Sequence, residues 1–356
     1  MNLLNKTLQE IAPQDPVFRA TARARLEQLT MPHWALGRLM DMAEDLAGMT
    51  RSARPAVARK AVVIMAGDHG VAASGVSQYP QEVTVQMVHN FASGGAGCNA
   101  LAGLAGAQVV VVDAGVAGDL SALVDQGKVI SKRIAPGTAN ILTGPAMTRE
   151  QAIASIEAGI EVAFLLKDSI DLFATGEMGI ANTTPSSAMV AVLTGRPVEE
   201  ITGRGTGLND VALQNKIAVV KEALRVNQPD PADVLDVLAK VGGFEIGAIA
   251  GLILGAAALK KPVIIDGFIT TAGALIAQGL APASTQYMIA AHRSVEPGHG
   301  AALERLGKEP LLSLDLRLGE GTGAVLAMNL VEASVRVLTE VATFEEAMIS
   351  HANPDQ

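Results

Sequence analysis

The sequence predicts an α/β protein with a doubly wound, mostly parallel sheet and helices on both faces of that sheet. Short apolar runs recur along the 356-residue chain, and each run is followed by a polar cluster that contains glycine or histidine. Stretches with the three- and four-residue apolar spacing of helices separate these runs. Apolar residues make up 49% of the chain and charged residues 18%, which is typical of a well-buried globular protein.

The apolar runs predict strands buried on both faces, as in the Rossmann-like class of parallel sheets. Near-continuous apolar sequence is typical of such strands because helices cover both sides of the sheet. The carboxyl ends of parallel strands meet at one edge, where ligands bind, so the polar clusters are expected to converge there. The predicted strands comprise residues 61–66, 109–112, 170–174, 263–265 and 287–291.

The two ends of the chain predict helices. Residues 20–29 and 35–49 place Leu, Met and Ala at helical spacing, and a long helix is predicted at residues 323–341. These helices are expected to form a small subdomain that packs beside a large α/β domain. The predicted boundaries are residues 1–57 and 296–356 for the subdomain and residues 58–295 for the large domain.

Charge and composition exclude several classes of function. The net charge of −9 argues against a nucleic-acid partner, because phosphate backbones are bound by Lys and Arg stripes. The single cysteine, Cys98, excludes an intrachain disulfide and is expected to be a buried packing residue. Residues 246–259 form the most apolar segment, which is shorter than the roughly 20 residues of a membrane helix and predicts a core helix instead. Residues 1–18 lack a signal-peptide pattern, so we expect a cytoplasmic protein without a membrane partner.

The GRGTG segment at residues 203–207 is predicted to open a helix that runs through residues 211–224. Glycines let the backbone approach an anion, and the free amides at a helix start point at it. Lys216 on that helix could add a positive charge. A plain glycine-rich turn, with Arg204 in a surface ion pair, explains the segment equally well, so both interpretations stay open.

The segment GEMGIANTTP at residues 176–185 follows a predicted strand and precedes a predicted helix at residues 186–193. Helix capping explains the Thr-Thr-Pro end of the segment. It does not explain Glu177 between glycines. The carboxylate, the amide of Asn182 and the neighbouring hydroxyls suit the hydroxyl groups of a ribose, and we favour that function.

Glu320 lies between glycines in GEGTG at residues 319–323, directly before the last long helix. A partly desolvated carboxylate gains proton affinity and becomes a better general base. Pairing of a surface glutamate with the positive end of the helix is the alternative. The pattern alone leaves the two open.

A metal site is a further candidate, because Asp68 and His69 follow the first predicted strand. With His89, His292 and His299 they could gather as ligands. No pair has the helical i, i+4 spacing of a metalloprotease, and no cysteine joins them. We predict no metal, and a metal-dependent phosphohydrolase built on Asp68, His69 and His292 stays the rival enzyme class.

Taken in combination, the motifs resemble the nicotinate-nucleotide–dimethylbenzimidazole phosphoribosyltransferase family. The resemblance runs in order from about residue 61 to residue 330. Besides GEMGIANTTP and GRGTG, the matching segments are GDHGV (67–71), PQEVT (80–84), GGAGCNALA (94–102), GTANI (137–141), VGGFEIGAIAG (241–251), IIDGFITTAGA (264–274), HRSVEPGH (292–299) and RLGEGTGA (317–324).

This resemblance implies a single catalytic unit, a homodimer and no metal or organic cofactor. The implied reaction moves a 5-phosphoribosyl group from nicotinate mononucleotide to 5,6-dimethylbenzimidazole. Its products are alpha-ribazole 5′-phosphate and nicotinate, and it belongs to assembly of the cobalamin nucleotide loop. A non-catalytic nucleotide sensor is the remaining alternative, but two glutamates in glycine-rich turns exceed what a sensor needs.

The resemblance also implies roles for individual residues. Glu320 corresponds to the catalytic base and Glu177 to a second carboxylate near the sugar. The implied phosphoribosyl pocket comprises Gly179, Asn182, Gly205, Thr206, Lys216 and Ser294, with Asp266 at its edge. The implied slot for the base is lined by Ser77, Tyr79 and Gln86.

Two positions depart from the family pattern. Ala181 stands where the family pattern GEMGIGNTT has glycine, which adds one methyl group and removes no polar group. Tyr79 is less typical of the base slot and leaves the preference among benzimidazoles and purines open.

Overall fold

A single six-stranded sheet forms the centre of the molecule, and the computed structural model describes residues 2–350. The strands are β1 (Lys60–Gly67), β2 (Ala107–Gly115), β3 (Ile130–Ser131), β4 (Leu172–Met178), β5 (Val263–Ile265) and β6 (Met288–Ala290). Their order is β3-β2-β1-β4-β5-β6, and every neighbouring pair is parallel. This is the doubly wound order with a reversal beside the first strand, where ligands bind in such sheets. The predicted fold class is confirmed.

The structure has one strand more than predicted, and four of the five predicted strands have different ends, since only β5 matches in full. The two-residue strand β3 was not predicted, because it is too short to form an apolar run. Strand β4 extends to Met178, so Glu177 lies within the strand and not in the turn beyond it. The reason is pairing with β1, which continues through Met65 opposite Glu177 and Ala66 opposite Met178.

Sixteen α-helices surround the sheet within residues 2–350. They are α1 (Leu3–Glu10), α2 (Pro16–Leu26), α3 (Arg38–Thr50), α4 (Val83–Ala92), α5 (Gly97–Ala105), α6 (Ser121–Asp125), α7 (Arg149–Leu165), α8 (Thr183–Thr194), α9 (Val198–Ile201), α10 (Asp210–Asn227), α11 (Val234–Val241), α12 (Phe244–Ala258), α13 (Phe268–Leu280), α14 (Pro297–Leu306), α15 (Thr322–Glu340) and α16 (Phe344–Ala347). Two 3₁₀ turns, at Gly70–Ser74 and Pro282–Tyr287, complete the elements.

The apolar segment predicted as a core helix is α12, which is buried from Phe244 to Ala257. Small residues allow α12 and α7 to approach closely, since a Cβ atom at Gly159 would collide with the carbonyl oxygen of Ala248. The abundance of Gly and Ala therefore reflects close helix–helix and helix–sheet packing. Among the described residues, no helix combines the length and apolarity that a membrane crossing requires.

The terminal helices pack together and also onto the sheet. Leu26 of α2, Ala43 of α3 and Leu338 of α15 share one small apolar cluster. Val325 and Met328, nearer the start of α15, belong to the apolar cluster on one face of the sheet. Helix α15 therefore ties the terminal helices to the sheet, and the predicted subdomain boundaries stay a prediction.

Candidate active site

A cavity of about 370 Å³ opens at the carboxyl edge of the sheet. Helices α8 and α13 both begin at this edge, with their first residues, Thr183 and Phe268, in the cavity wall. The positive ends of these helices therefore point toward the cavity. All of the predicted site residues except Gln86 and Lys216 line it, namely Ser77, Tyr79, Glu177, Gly179, Asn182, Gly205, Thr206, Asp266, Ser294 and Glu320.

The carboxylate of Glu177 is buried at the end of β4 and is held on both oxygens. Oε1 accepts a hydrogen bond from the backbone N–H of Glu320 at 3.1 Å, and Oε2 accepts one from the side-chain amide of Asn182. Asn182 thus binds Glu177 and does not cap helix α8 with its side chain. Burial raises the pKa of Glu177 to about 7, although the Asn182 amide and the Glu320 N–H act in the opposite direction.

The carboxylate of Glu320 reaches the same cavity from a glycine-rich turn. Gly319, Glu320 and Gly321 all have positive φ, and a side chain at position 319 would collide with Glu177. Glu320 Oε2 accepts a hydrogen bond of 3.4 Å from the backbone N–H of Cys98. Burial raises the pKa of the Glu320 carboxyl. The other oxygen, Oε1, has no hydrogen bond to any residue between 2 and 350 and is free to accept a proton from a ligand.

Cys98 packs beneath this turn as a fully buried residue. Burial raises the pKa of its thiol to about 12, so the thiolate is not formed at neutral pH. The contribution of Cys98 to the site is its backbone N–H.

Asp266, directly after β5, anchors the turn that carries Glu320. Its Oδ2 accepts a hydrogen bond from the N–H of Gly321 at 3.2 Å, and its Oδ1 accepts one from the N–H of Ala324 at 2.8 Å. Burial raises the pKa of Asp266 to about 7. The residue lines the cavity, as predicted for a position at the pocket edge, while its oxygens hold the start of α15.

The backbone of the GRGTG segment forms one end of the cavity. Gly205 and Thr206 line the cavity opposite Ser294. The prediction that this segment opens a helix is wrong. Helix α10 begins later, at Asp210, and the side chain of Asn209 caps it by accepting from the N–H of Ala212. The cavity lining here therefore comes from the turn itself and not from the first turn of α10.

Lys216 lies behind this turn and not in the cavity wall. Its ammonium donates to the hydroxyl of Thr183 at 2.7 Å and to the carbonyl oxygen of Gly203 at 3.1 Å. Burial lowers the pKa of Lys216 to about 8. The positive charge of the Lys216 ammonium therefore lies beneath Gly205, close enough to attract an anion at this turn.

Much of the remaining cavity wall is apolar and forms a slot. Ser77 and Tyr79 also line the cavity, and Tyr79 is half exposed. Gln86 lies on α4 and is exposed, whereas its neighbours Val83 and Met87 line the cavity. Contact of Gln86 with a ligand stays a prediction. The remaining apolar lining residues are Val76, Met178, Ile180, Ala181, Phe268, Ile269 and Leu318.

Asp68 and His69, two of the residues considered as metal ligands, have protein partners. His69 Nε2 lies 2.7 Å from Glu245 Oε1, and Asp68 accepts from the N–H of Ala117. Burial opposes protonation of His69, but the charge and hydrogen bond of Glu245, together with the nearby charges of Asp68 and Glu177, outweigh burial and raise the pKa of the imidazole. No group of three or more His, Cys, Asp or Glu side chains in the described part of the chain is arranged to hold a metal ion.

His292 and His299 form a buried pair of rings on the far side of Asp266. His292 lines the cavity and lies 3.7 Å from Asp266, while His299 binds Thr271 and the N–H of Ser294. Burial lowers the pKa of both imidazoles, that of His299 to about 3. Both rings are therefore neutral at physiological pH.

Sequence reasoning missed two charged residues of the cavity wall, Glu296 and Arg317. Both lie in motifs that were noted, HRSVEPGH and RLGEGTGA, but nothing in the spacing distinguished them from surface charges. The Pro that follows Glu296 was the available signal, because it marks the start of α14 and places Glu296 at the helix N-terminus.

The chain is similar to known proteins over nearly its whole length. Residues 11–349 match a family model described as phosphoribosyltransferase. The chain belongs to the phosphoribosyltransferase family. It is 65% identical over 350 residues to the nicotinate-nucleotide–dimethylbenzimidazole phosphoribosyltransferase of Syntrophotalea carbinolica, covering 98% of this chain and 99% of the relative. The enzyme of the same name from Desulfotalea psychrophila is 59% identical over 351 residues, with the same coverage of 98% and 99%.

Solved structures show the same architecture. The crystal structure of CobT from Thermus thermophilus superposes with a TM-score of 0.90 at 47% identity, covering 95% of this chain and 100% of that one. This phosphoribosyltransferase is accordingly an enzyme that transfers a pentosyl group. The two carboxylates and the Gly205–Thr206 turn are the groups in its cavity that such a transfer can use.

Proposed function

We propose that the enzyme transfers 5-phosphoribose from nicotinate mononucleotide to 5,6-dimethylbenzimidazole and releases alpha-ribazole 5′-phosphate and nicotinate. The observation that carries this proposal is the convergence of Glu177, Glu320 and the Gly205–Thr206 turn in one cavity of about 370 Å³. That volume lies within the range of small-ligand pockets, roughly 300 to 1,000 Å³. The names of the two relatives contain both substrates.

The phosphate of the donor binds at the turn end of the cavity. The amide groups of Gly205 and Thr206 and the hydroxyl of Ser294 supply donors, and the Lys216 ammonium supplies charge from behind the turn. Fixing the phosphate there directs the ribose toward β4, where Glu177 and Asn182 lie.

Departure of nicotinate needs no general acid. The pyridinium nitrogen of the donor is already positive, so cleavage of the bond to C1′ returns the electron pair to that nitrogen and leaves an uncharged ring. Positive charge develops on C1′ and the ring oxygen of the ribose. The carboxylate of Glu177 stabilises that charge electrostatically from its fixed, buried position.

The acceptor base binds in the apolar slot with one ring N–H toward Glu320. Its other nitrogen, which carries a lone pair, attacks C1′, and the N–H proton passes to Glu320 Oε1. Burial raises the proton affinity of that carboxylate, and its hydrogen bond to the N–H fixes the ring in the orientation for attack. The slot is aliphatic, with Val76, Val83 and Met87 in its wall, which suits the methyl groups of a dimethylated ring.

We also propose that the enzyme is a cytoplasmic homodimer. The resemblance to the family supports the dimer, and Tyr79 and Leu318, each more than half exposed at the cavity rim, offer apolar surface to a second copy. The free thiol of Cys98 is compatible with a reducing compartment. Sedimentation analysis tests the dimer: a single monomeric species at micromolar concentration contradicts it.

The proposed reaction is tested by incubating the enzyme with nicotinate mononucleotide and a panel of bases. The panel comprises dimethylbenzimidazole, benzimidazole and adenine, and the products are identified by mass. Release of nicotinate together with the ribotide of dimethylbenzimidazole supports the proposal. Binding of the donor without nicotinate release supports a nucleotide sensor instead, and release of inorganic phosphate supports a phosphohydrolase.

A further inference from the structure

A carboxylate occupies the anion-binding turn. Glu296 is only 8% exposed, and its Oε1 accepts a hydrogen bond of 2.9 Å from the backbone N–H of Gly205. Its Oε2 is buried and has no hydrogen-bond partner within residues 2–350. The Glu296 carboxylate fills the space next to Gly203, because a Cβ atom at Gly203 would collide with Oε2.

This arrangement conflicts with binding of a phosphate at the same turn. Glu296 lines the cavity together with Gly205, Thr206 and Ser294. A phosphate at this end of the cavity would meet a like charge in a partly buried environment, where repulsion is weakly screened. The Gly205 N–H, moreover, cannot point at both anions. The carboxylate must therefore give up this amide if a phosphate is to use it.

A second cavity offers the space for that movement. It has a volume of about 430 Å³, and Gly205, Glu296 and Arg317 line both cavities. Arg204 also lines the second cavity, but its guanidinium already binds Asp210 and the carbonyl oxygen of Leu208. The side chain of Arg317 makes no hydrogen bond or ion pair with any residue that the structure describes. It is thus an uncommitted cation in the lining of the same two cavities as the carboxylate.

We propose that Glu296 is a displaceable internal anion that keeps the phosphate-binding turn formed in the free enzyme. When the donor binds, its phosphate takes the Gly205 N–H, and the Glu296 side chain turns into the second cavity toward Arg317. The inference rests on the proposed function, because it takes the donor's phosphate to bind at this turn. No covalent bond changes; one charge-assisted hydrogen bond is exchanged for another.

The first test measures the dissociation constants of inorganic phosphate and of nicotinate mononucleotide by calorimetry. Glu296→Gln keeps the shape and an acceptor oxygen but removes the charge, so both ligands should bind roughly tenfold more tightly. Glu304→Gln is the matched control on helix α14, which Glu296 precedes. Glu304 is exposed and pairs with Arg196, so this variant should bind both ligands as the wild type does. If Glu296→Gln binds the two ligands as weakly as the wild type or more weakly, the proposal is overturned and Glu296 has a fixed structural role.

The second test combines Glu296→Gln with Arg317→Ala in a double-mutant cycle. Arg317→Ala alone should weaken phosphate binding roughly fivefold, because the displaced carboxylate loses its cation. In the Glu296→Gln background the same change should have no effect. An undiminished effect there means that Arg317 binds phosphate directly, which overturns the displacement. If neither the wild type nor any variant binds phosphate or nicotinate mononucleotide, the proposed function fails together with this inference. If turnover is normal but the effects of the two substitutions on phosphate binding are independent, only this inference fails.

Discussion

Glu320 has a backbone conformation that non-glycine residues rarely adopt, with φ of +62° between two glycines at +80° and +85°. Strained conformations of this kind persist where surrounding contacts hold them, and they cluster at functional sites. The contacts here are the Glu177 carboxylate on the Glu320 N–H and the Asp266 carboxylate on Gly321. The strain is therefore balanced by the other carboxylates of the same cavity.

Substituting Glu320 with Gln should lower kcat by roughly 10²–10⁴-fold, the usual scale for loss of a general base. The affinity for nicotinate mononucleotide should change little, because Glu320 faces the acceptor base in the proposed complex. Steady-state kinetics and calorimetry check the two parts. A kcat close to that of the wild type would exclude Glu320 as the base.

Ala181, which stands where the family pattern has glycine, has an unfavourable backbone conformation that the sequence alone did not reveal. Ala181 has φ of +74°, a left-handed conformation that is unfavourable for every L-residue with a side chain. Ala181→Gly should therefore stabilise the protein by about 0.5–1 kcal/mol, measured by urea unfolding. The control Ala158→Gly, within helix α7, should instead destabilise it by about 1 kcal/mol. Loss of stability in both variants would contradict the assignment of strain to position 181.

The buried charges of the cavity predict a bell-shaped pH dependence of kcat/KM. Glu177 must be ionised to stabilise positive charge, and its pKa is about 7, so activity should fall as the pH drops below that value. Lys216 must be protonated to hold phosphate, and its pKa is about 8, so activity should fall as the pH rises above that value. Lys216→Arg, whose guanidinium does not titrate, should flatten the alkaline limb. A profile that is level from about pH 6 to about pH 9 would contradict both assignments.

At the scale of elements, the start of helix α15 is held by a strand end and not by a cap of its own. Gly321 is the N-cap residue and has no side chain, and Asp266 supplies the missing acceptor from the end of β5. A distant residue therefore fixes the helix that follows Glu320. Asp266 is a positioning residue for the proposed base.

Asp266→Asn should lose kcat by roughly tenfold or more and stability by about 1–2 kcal/mol, because an amide can accept on one oxygen only. KM for nicotinate mononucleotide should change less than kcat. Asp233→Asn is the matched control: Asp233 caps helix α11 by accepting from Leu235 and Asp236, and Asn is an equally good cap there. An unchanged kcat in Asp266→Asn, with only stability reduced, would limit Asp266 to a structural role.

The sequence predicted the elements better than the contacts between them. Apolar runs identified five strands because burial on both faces leaves a local signature. The two-residue β3 has no such signature, and the extension of β4 to Met178 depends on pairing with β1. Local sequence patterns carry no information about which strands pair with each other or how far the pairing extends.

The site shows the same division. Glycines around Glu177 and Glu320 are visible in the sequence and marked both carboxylates. The two residues between the GRGTG segment and Asp210 decide that α10 does not aim its first amides at the cavity. The face of α4 decides that Val83 and Met87, and not Gln86, line the slot. Glu296 was not predicted, because positive and not negative side chains are expected at a turn that is proposed to bind an anion.

At the scale of the whole molecule, the parallel sheet brings together groups that are far apart along the chain. Glu177 lies at the end of the fourth strand, the Gly205 turn follows α9, and Glu320 precedes the last long helix, yet all three line one cavity. A doubly wound sheet does this because every strand ends at the same edge. In the proposed reaction, both substrates bind in this cavity with the reacting atoms between the two carboxylates.

The most direct measurement is a crystal structure of the Glu320→Gln variant with nicotinate mononucleotide and dimethylbenzimidazole bound together. We expect the phosphate at Gly205, Thr206 and Ser294, C1′ beside Glu177, and the benzimidazole N–H within hydrogen-bond distance of residue 320. A complex in which the phosphate binds elsewhere, or in which residue 320 faces neither substrate, would contradict the proposed mechanism.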